Sequence, residues 1–345
     1  GERMQLKKIT AGLLSVLLAG ALLAGCSTGE TASSNASQQP ASSAAAEKTK
    51  VNVFGIKGPT GIGLVNLMKA NEEKTAQNDY TFSVLSTPDE AVAKVASGEA
   101  DIAAGPTNLA SALYAKTNGK VKMLAVNTLG VLYILENGTA INSVKDLKGK
   151  TIYSTGQGAN PEYVLRYVLE KNGLDPDKDV KLEFLSENDE LATQLASGKA
   201  GVALVPEPVV TTVLTKNDKL RVALDMTKEW KNAAGDESTL MMGCVVARSA
   251  FVEKNPQAVK AFLSEYKASI EKATGDVDGT AALCETYGII PKAAVAKQAI
   301  PRCNLTYVDG QDMMKQIKGY FDVLFAAKPA SIGGKLPDDG LYYLD

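Results

Sequence analysis

The stretch DEAVAKVASGEA at residues 89–100 returns as DELATQLASGKA at residues 189–200. Both copies begin with two acids, which favour the N-terminal end of a helix, and continue with apolar residues at helical spacing. A Ser-Gly pair then predicts the helix end, because glycine adopts the left-handed conformation found at helix C-caps. A short apolar strand ending at Pro106 or Pro206 follows, and then a second helix and a further strand. The repeat predicts two α/β units of like architecture.

Short apolar runs rich in β-branched residues alternate with helical patterns over the rest of the chain. This alternation is typical of mainly parallel sheets covered by helices. We therefore predict an α/β fold with two mainly parallel sheets and flanking helices, one sheet in each of two lobes. Besides the short strand within each repeat, the predicted strands are 51–56, 82–85, 120–126, 151–153, 181–185, 220–224 and 240–247.

The order of these elements divides the chain into two lobes. We assign residues 51–138 and 240–345 to the first lobe and residues 141–233 to the second. After the predicted strand at 240–247, the sequence shows helical patterns and no further predicted strand. These helices are therefore expected to pack back on the first lobe. The chain would then cross between lobes near 135–143 and near 234–244, and two crossings form a hinge.

The N-terminus has the pattern of an export signal. Basic residues within the first eight positions precede an apolar run at 9–24, which is shorter than the roughly 20 residues that a spanning helix needs. We predict that residues 1–25 are a removable signal peptide, with an uncleaved anchor helix as the alternative. The run ends in Leu23-Ala24-Gly25-Cys26, which resembles the bacterial lipobox. That resemblance implies cleavage before Cys26 and a diacylglycerol on its thiol.

A polar segment separates this cysteine from the first predicted strand. Residues 27–50 are rich in Ser and Ala and contain no large apolar side chain. Such a segment cannot bury enough surface to order itself, so residues 26–50 are predicted to be the lipidated cysteine and a disordered tether.

The composition excludes several classes of function. The chain has no histidine, which removes the commonest general base, every Ser-His or Cys-His pair and most catalytic zinc sites. Its formal net charge is −2, without the basic stripe that nucleic-acid binding requires. Glu207 and Glu162 are the only acids that we can place together near one cleft as a catalytic pair. We expect no cofactor and no metal.

Three cysteines lie beyond the predicted lipid anchor: Cys244, Cys284 and Cys303. None belongs to a C-x-x-C pair, so a structural zinc is not expected. An exported protein is permitted disulfides, and Cys284 and Cys303 are the candidate pair. Buried free thiols are the equally weighted alternative.

Candidate ligand-binding residues occur in four loops that follow predicted strands and open helices. In open parallel sheets, ligands bind beyond the carboxyl ends of strands and beside helix N-termini. Glycines there expose backbone N–H groups, which suit a carboxylate, sulfonate or carbonyl oxygen. The candidates are Gly58, Pro59, Thr60, Gly61, Thr107, Asn108, Thr155, Gly156, Gln157, Gly158, Asn160 and Glu207.

Several of these candidates have a structural alternative. Thr60, Thr107 and Asn160 are also good helix caps. Gln157 lies between two glycines without an evident structural task, so binding is the favoured interpretation. Glu207 lies between two prolines and would either accept a hydrogen bond from a ligand amine or fix the hinge.

The arginines bear on the charge of the ligand. The chain has five, and only Arg166 lies near a proposed loop. A nitrate or sulfonate site held by arginine should show more of them. We therefore favour a small neutral or zwitterionic organic ligand, bound by amide and hydroxyl groups.

The second repeat unit resembles a known family. DLKGKTI at 146–152, GQG at 156–158 and YVLRYVLEKNGLDP at 163–176 are similar to the second-lobe signature of the nitrate/sulfonate/taurine and thiamine-pyrimidine family of ABC substrate-binding proteins. SGEADIA at 97–103 and Glu207-Pro208 fit the same family. The resemblance implies the two-lobed type II periplasmic-binding-protein fold, a cleft between the lobes and an importer as partner.

These observations predict an exported solute-binding lipoprotein, monomeric, that captures a small organic solute between its lobes. The expected partners are ABC permease subunits with their ATPase, and the membrane through the lipid anchor. The expected location is the outer face of the bacterial cytoplasmic membrane, or the periplasm where an outer membrane exists. The alternatives are a receptor lipoprotein without transport and an enzyme of the same fold. The thiamine-pyrimidine synthases that resemble this family depend on histidine, which this chain lacks.

Overall fold

Eleven strands in residues 45–345, the part that the computed structural model describes, are divided between two sheets. The predicted signal peptide, Cys26 and most of the tether lie outside the described residues. Sheet A has the order β11-β4-β10-β3-β1-β2, and sheet B has the order β7-β6-β8-β5-β9. In chain order the strands are β1 (Lys50–Ile56), β2 (Asp79–Leu85), β3 (Ile102–Pro106), β4 (Val121–Thr128), β5 (Leu132–Asn137), β6 (Thr151–Ser154), β7 (Lys181–Phe184), β8 (Val202–Pro206), β9 (Leu220–Asp225), β10 (Gly243–Arg248) and β11 (Leu305–Asp309).

Helices cover both sheets. They are α1 (Pro59–Ile62), α2 (Val65–Glu72), α3 (Pro88–Ser97), α4 (Thr107–Lys116), α5 (Asn160–Lys171), α6 (Asn188–Ala196), α7 (Val209–Lys216), α8 (Met226–Ala234), α9 (Ser249–Lys254), α10 (Pro256–Gly275), α11 (Val277–Thr286), α12 (Ala293–Ala299) and α13 (Gly310–Ala327). Short 3-10 turns occur at Val144–Leu147, Gly235–Glu237, Ile300–Arg302, Pro329–Ile332 and Asp339–Leu341. No helix within residues 45–345 is long and apolar enough to cross a membrane.

The two copies of the repeat occupy equivalent places in the two sheets. Helices α3 and α6 carry the repeated sequence, and β3 and β8 follow them next to β1 and β6. Gly98 and Gly198 have φ values of 83° and 80°, the left-handed conformation expected after each helix. The predicted α/β fold with two lobes is confirmed.

Each sheet is mainly parallel and contains an inserted strand of opposite direction. Strand β1 is parallel to β2 and β3, and β6 is parallel to β7 and β8. Strand β10 lies antiparallel between β3 and β4, and β5 lies antiparallel between β8 and β9. Each inserted strand is the first strand after the chain has crossed from the other sheet.

The first crossing comes earlier than the sequence predicted. Strand β5 pairs only with strands of sheet B, so residues 132–138, which we had assigned to the first lobe, belong with the second. The chain crosses between Thr128 and Leu132. Both β4 and β5 are almost wholly buried apolar strands, and the short connection between them has no composition that marks a boundary.

Strand β11 was not predicted. It pairs antiparallel with β4 at the edge of sheet A. Its sequence LTYVD is half-buried along most of its length, so it lacks the continuous apolar run of an interior strand. The helices around it pack on sheet A, with α10 against α2 and β11, and α13 against β4 and β11.

Buried aromatic side chains join α8, α5 and α13. Trp230 of α8 is fully buried, and its ring centroid is 4.3 Å from that of Tyr167 and 5.6 Å from that of Tyr320. Helix α13 therefore contacts both sheet A and the helices of sheet B.

The three cysteines of the described region are buried free thiols. Cys284 and Cys303 belong to the same apolar cluster, but they form no disulfide in this structure. Of the two predicted alternatives, the structure therefore has the free thiols.

Candidate functional site

A cleft of about 760 Å³ lies between the two sheets. Its walls are the loops after the carboxyl ends of β1, β3, β6 and β8, the edge where ligands bind in α/β proteins. Residues of both sheets' connections contribute, together with the turn that follows α13.

Seven of the twelve predicted ligand-binding residues line this cleft. Three belong to the loop after β1, one to α4, two to the loop that opens α5, and one to the loop after β8. They are Gly58, Pro59, Thr60, Asn108, Gly158, Asn160 and Glu207. The topology therefore brings together loops that are up to 150 residues apart in the sequence.

Two candidates are packing residues behind the cleft wall. A Cβ atom on Gly61 would lie 2.4 Å from the Ile56 carbonyl oxygen, so glycine is required there by close packing. Thr107 is fully buried, and its hydroxyl donates to the carbonyl of Met241 at 2.7 Å. Neither side chain position faces the cavity.

The remaining three candidates lie in the loop between β6 and α5, outside the cleft lining. The Thr155 hydroxyl donates to Oδ1 of Asn188 at 2.7 Å. Gly156 has a φ of 75° and approaches Pro161 closely, which explains the glycine. Gln157 is exposed, so the sequence-based preference for it as a ligand residue has no support in its position.

Three of the helices that open onto the cleft have N-cap residues that make no side-chain cap. The N-cap residues of α4, α5 and α7 are Pro106, Ala159 and Pro208, and none makes a side-chain cap hydrogen bond. Helix α3, which opens onto the same cleft, has a complete capping box at Thr87, and the Glu207 carboxylate accepts from the Thr211 N–H in the first turn of α7. Uncapped helix N-termini present N–H groups and partial positive charge, the usual setting for an anion.

The positions of the N-cap residues also show whether three of the candidates act as helix caps, their alternative role. Thr60, Thr107 and Asn160 lie inside their helices, after the N-cap positions Gly58, Pro106 and Ala159. None of the three side chains caps its helix. Thr60 and Asn160 are therefore half-buried polar groups on the cleft wall without a capping task.

Two lysines that were not among the sequence-based candidates also line the cleft. Lys57 follows β1, and Lys328 follows α13. Both are exposed, and Asp89 at the start of α3 is the exposed acid of the same lining. Only the fold brings position 328 to these loops, so no local sequence signal marks it.

Glu207 is engaged by the protein itself. Its side chain is fully buried, and Oε1 accepts from Nε of Arg302 at 2.7 Å. The Thr211 hydroxyl lies 3.0 Å from both carboxylate oxygens. Burial raises the pKa of Glu207, while the Arg302 guanidinium and the Thr211 bonds oppose the rise. Of the two predicted roles, these contacts fit the one that fixes the structure.

Arg302 is held at a second point by sheet B. The Tyr133 hydroxyl on β5 donates to the carbonyl oxygen of Arg302 at 2.6 Å. Arg302 lies in the 3-10 turn after α12, and α12 packs against α7. No local sequence signal marks Arg302, because its partner Glu207 is 95 positions away.

Asn127 supports the loop after β1 from behind. It is buried, and its Nδ2 donates to the Thr60 carbonyl at 3.3 Å and to the Tyr266 hydroxyl at 2.9 Å. Gly243, the first residue of β10, lies close to the same group. A Cβ there would be 2.5 Å from Oδ1 of Asn127 and 2.8 Å from Cγ2 of Thr60.

The family is shown by comparison with known proteins. The family described as the phosphonate periplasmic substrate-binding protein of ABC transporters matches residues 67–290, and the chain belongs to it. This protein is a periplasmic substrate-binding component of an ABC transporter, and its place is outside the cytoplasm. No curated protein matches the chain.

Solved structures agree with the fold. An ABC transporter structure from Parabacteroides distasonis is 26% identical, covers 86% of this chain and 99% of that chain, and has a TM-score of 0.72. The periplasmic aliphatic sulphonate binding protein of Escherichia coli is 14% identical and has a TM-score of 0.68, and the match covers 86% of this chain and 92% of that chain. A putative sulfonate-binding protein of Methylobacillus flagellatus is 19% identical and has a TM-score of 0.58, and the match covers 83% of this chain and 88% of that chain. The predicted family and the predicted solute-binding function are confirmed, and the receptor and enzyme alternatives are not favoured.

Proposed function

We propose that this protein captures a small organic anion in the cleft and delivers it to the permease of an importer. The observation that carries the proposal is that Lys57, Lys328 and the N-termini of α4 and α5, whose N-cap residues make no side-chain cap, all line the same cleft. Lysine is a strongly hydrated point charge with three donors, and helix N-termini add oriented N–H groups. An oxyanion satisfies both without arginine, which removes the main argument for a neutral ligand.

The rest of the lining suits an organic group. Leu109, Val131 and Met242 contribute half-buried apolar surface to the same cavity. A volume of about 760 Å³ lies in the range of small-molecule sites. The family name and the sulphonate-binding neighbours agree with an oxyanion joined to an apolar part.

A zwitterion is the second candidate. Asp89 lines the cleft with the two lysines, so an ammonium group on the ligand would have an acceptor. The same lining offers Thr60, Asn108 and Asn160 as neutral hydrogen-bonding groups.

The contacts of the two acids near the cleft fit a binding protein better than an enzyme. Glu207 is bound by Arg302, and Glu162 is bound by Arg166 with an Nε–Oε1 distance of 2.9 Å. Both members of the candidate acid–base pair are thus held as ion pairs, and a general acid or base must be free to exchange its proton.

The remaining parts of the proposal follow from the sequence. Residues 1–25 act as the signal peptide, Cys26 carries the lipid, and residues 27–50 tether the folded body to the membrane. The lobes are residues 51–131 with 240–345 and residues 132–233. Ligand contacts on both lobes favour the closed form, which is the form that docks on the permease.

The test is a thermal-shift and calorimetric panel of alkylphosphonates, alkanesulfonates, carboxylates, amino acids and uncharged amides of matched size. A ligand at 100 times its Kd should add about 2.7 kcal/mol to the free energy of unfolding. We expect anions to bind, and the Lys57→Gln/Lys328→Gln double variant to bind them at least tenfold more weakly.

The matched control is Lys178→Gln, because the Lys178 side chain is 83% exposed and lies outside the cleft lining. It should leave affinity unchanged. Added salt should weaken anion binding, since exposed charges are screened. Binding of uncharged amides with no anion binding would overturn the proposal, and selective binding of amino acids would favour the zwitterion.

A further inference from the structure

A small apolar cavity lies in the first lobe between α3, α4 and sheet A. Its volume is about 30 Å³, which exceeds the roughly 10–15 Å³ that one water molecule needs. Every side chain of its lining is a hydrocarbon except the buried thiol of Cys244. Because such a lining offers a water molecule no good hydrogen-bond partner, the cavity suits an apolar group.

This apolar cavity adjoins the cleft. Pro88, Pro106 and Leu109 line both spaces. These three residues are half-buried, whereas Val95 and Leu113 of the same lining are buried between the helices and the sheet. The shared residues therefore place the mouth of the cavity at the cleft, and the buried ones form its inner end.

The sequence repeat shows how the first lobe forms this space. Helices α3 and α4 and strand β3 belong to the first copy, and α6, α7 and β8 are their counterparts in the second. With an offset of 100 residues, five positions of the cavity lining have a smaller residue in the first copy than in the second. In the first copy these residues are Ala91, Val95, Ala104, Gly105 and Ala110.

The second copy fills the equivalent positions with larger side chains, all of them fully buried. They are Leu191, Leu195, Leu204, Val205 and Val210. Val92, Leu109 and Leu113 are larger than their counterparts, but over the compared lining positions the second copy has the greater side-chain volume. Since protein interiors are normally close-packed, the second lobe shows that the fold itself does not require the small residues of the first.

We propose that this cavity is the subsite for the apolar end of the ligand: the oxyanion lies in the cleft, and a short alkyl end passes Leu109 into the space beside Ala91 and Ala110. This inference rests on the proposed function and narrows its ligand to an alkyl oxyanion. The first lobe then sets the preferred chain length. Each CH₂ group that leaves water for this space should raise affinity about fourfold.

The experiment uses the full chain, purified in mild detergent, and two series of probes. These are the linear alkylphosphonates and alkanesulfonates from methyl to hexyl. Calorimetry measures the affinity for each chain length, and urea unfolding without ligand measures the stability of each variant. In the wild type, we expect affinity to rise with each added CH₂ group until the cavity is filled and then to rise no further.

Two variants of α3 should shift this profile in opposite directions. Ala91→Val narrows the cavity, so the rise should end at a shorter chain. Binding of the chain that the wild type prefers should weaken by about fivefold or more, while the methyl probes keep their affinity. Val95→Ala lengthens the inner end of the cavity, so the rise should continue to longer chains. A general loss of packing cannot produce both shifts.

The controls make the same chemical changes in the second lobe. Ala192→Val on α6 and Val213→Ala on α7 lie outside the linings of the cavity and the cleft. Both should keep the wild-type profile, whatever their stability. Affinity that does not depend on chain length, or a wild-type profile in both α3 variants, would overturn the inference, while anion binding would still support the proposed function. If no probe of either series binds, the proposed function fails, and this inference fails with it.

Discussion

Nε of Arg302 donates to Oε1 of Glu207 across 2.7 Å, and this contact joins the turn after α12 to the loop after β8. The Glu207 side chain is fully buried, whereas that of Arg302 is 29% exposed. A carboxylate in that position depends on its cation, because an unpaired buried charge is far costlier than an unpaired surface charge. The pair therefore fixes one wall of the cleft to the C-terminal part of the chain.

Arg302→Ala should lower the free energy of unfolding by about 3 kcal/mol, because it leaves Glu207 buried without its cation. Urea unfolding at neutral pH measures the loss. The control is Lys297→Ala on α12, which removes an exposed ion pair with Asp278 and should cost less than about 1 kcal/mol.

Adding Glu207→Gln to Arg302→Ala should restore part of the lost stability, because a neutral amide then replaces the unpaired carboxylate. A loss for Arg302→Ala no larger than that for Lys297→Ala would contradict the importance of this pair.

Acid should selectively weaken the contacts of Glu136. Burial of this side chain opposes ionisation, but bonds from the backbone N–H groups of Ile141 and Ala140 and from Arg221 hold its pKa below the ordinary 4.5. A lowered pKa in the folded state adds stability above the unfolded value, and that stability is lost as the pH falls through the folded pKa.

Glu136→Gln should therefore cost about 2 kcal/mol at pH 7, and the difference from wild type should shrink below about pH 4.5. Unfolding curves at a series of pH values check this. A difference that stays constant down to pH 3 would show that the charge of Glu136 is not involved.

Gly243→Ala should disturb the cleft from behind. The new methyl group would overlap Oδ1 of Asn127 and Cγ2 of Thr60, and overpacking of this kind costs about 1–3 kcal/mol. Affinity for the ligand should fall as well, because Thr60 lines the cavity. Gly201→Ala is the control, since a Cβ there meets no atom within 4 Å; it should leave both stability and affinity near wild type.

The number of cysteines that react with an alkylating reagent tests whether Cys284 and Cys303 are free thiols. Burial raises the pKa of Cys284 to about 12 and that of Cys244 well above its ordinary value, so neither reacts while the protein is folded. In a Cys26→Ser chain unfolded without reductant, an alkylating reagent should label three cysteines. Mass spectrometry that finds one labelled cysteine would instead mean that Cys284 and Cys303 are bridged.

Features set by a few neighbouring residues, such as helix ends, could be predicted from the sequence. Features that depend on pairing between distant segments could not. Gly98 and Gly198 marked two helix ends because only the local conformation mattered there. The residues of β5, which were not predicted to form a strand, were assigned to the first lobe because their partners come later in the chain. Lys328 reaches the cleft through the whole path of α13, and no periodicity or motif records that path.

The same limit explains the mixed result for the candidate site. The chosen loops after strand ends do meet at one cleft, since the carboxyl edge of a sheet is a property of strand direction. Within those loops, sequence could not tell Thr60 on the wall from Gly61 behind it, because that depends on contacts with Ile56 and Ile289. Gln157 was favoured for lacking a structural task, and an exposed loop position is an equally good reason for lacking one.

The inserted strands have a consequence for how the chain folds as it is made. All strands of sheet B lie within residues 132–225, so this sheet has its full set as soon as β9 has been synthesised. Sheet A cannot close at that time, because β3 and β4 pair through β10 and not with each other. The N-terminal strands are thus the first to be made and the last to be completed, and sheet A keeps open edges at β3 and β4 until β10 has been synthesised.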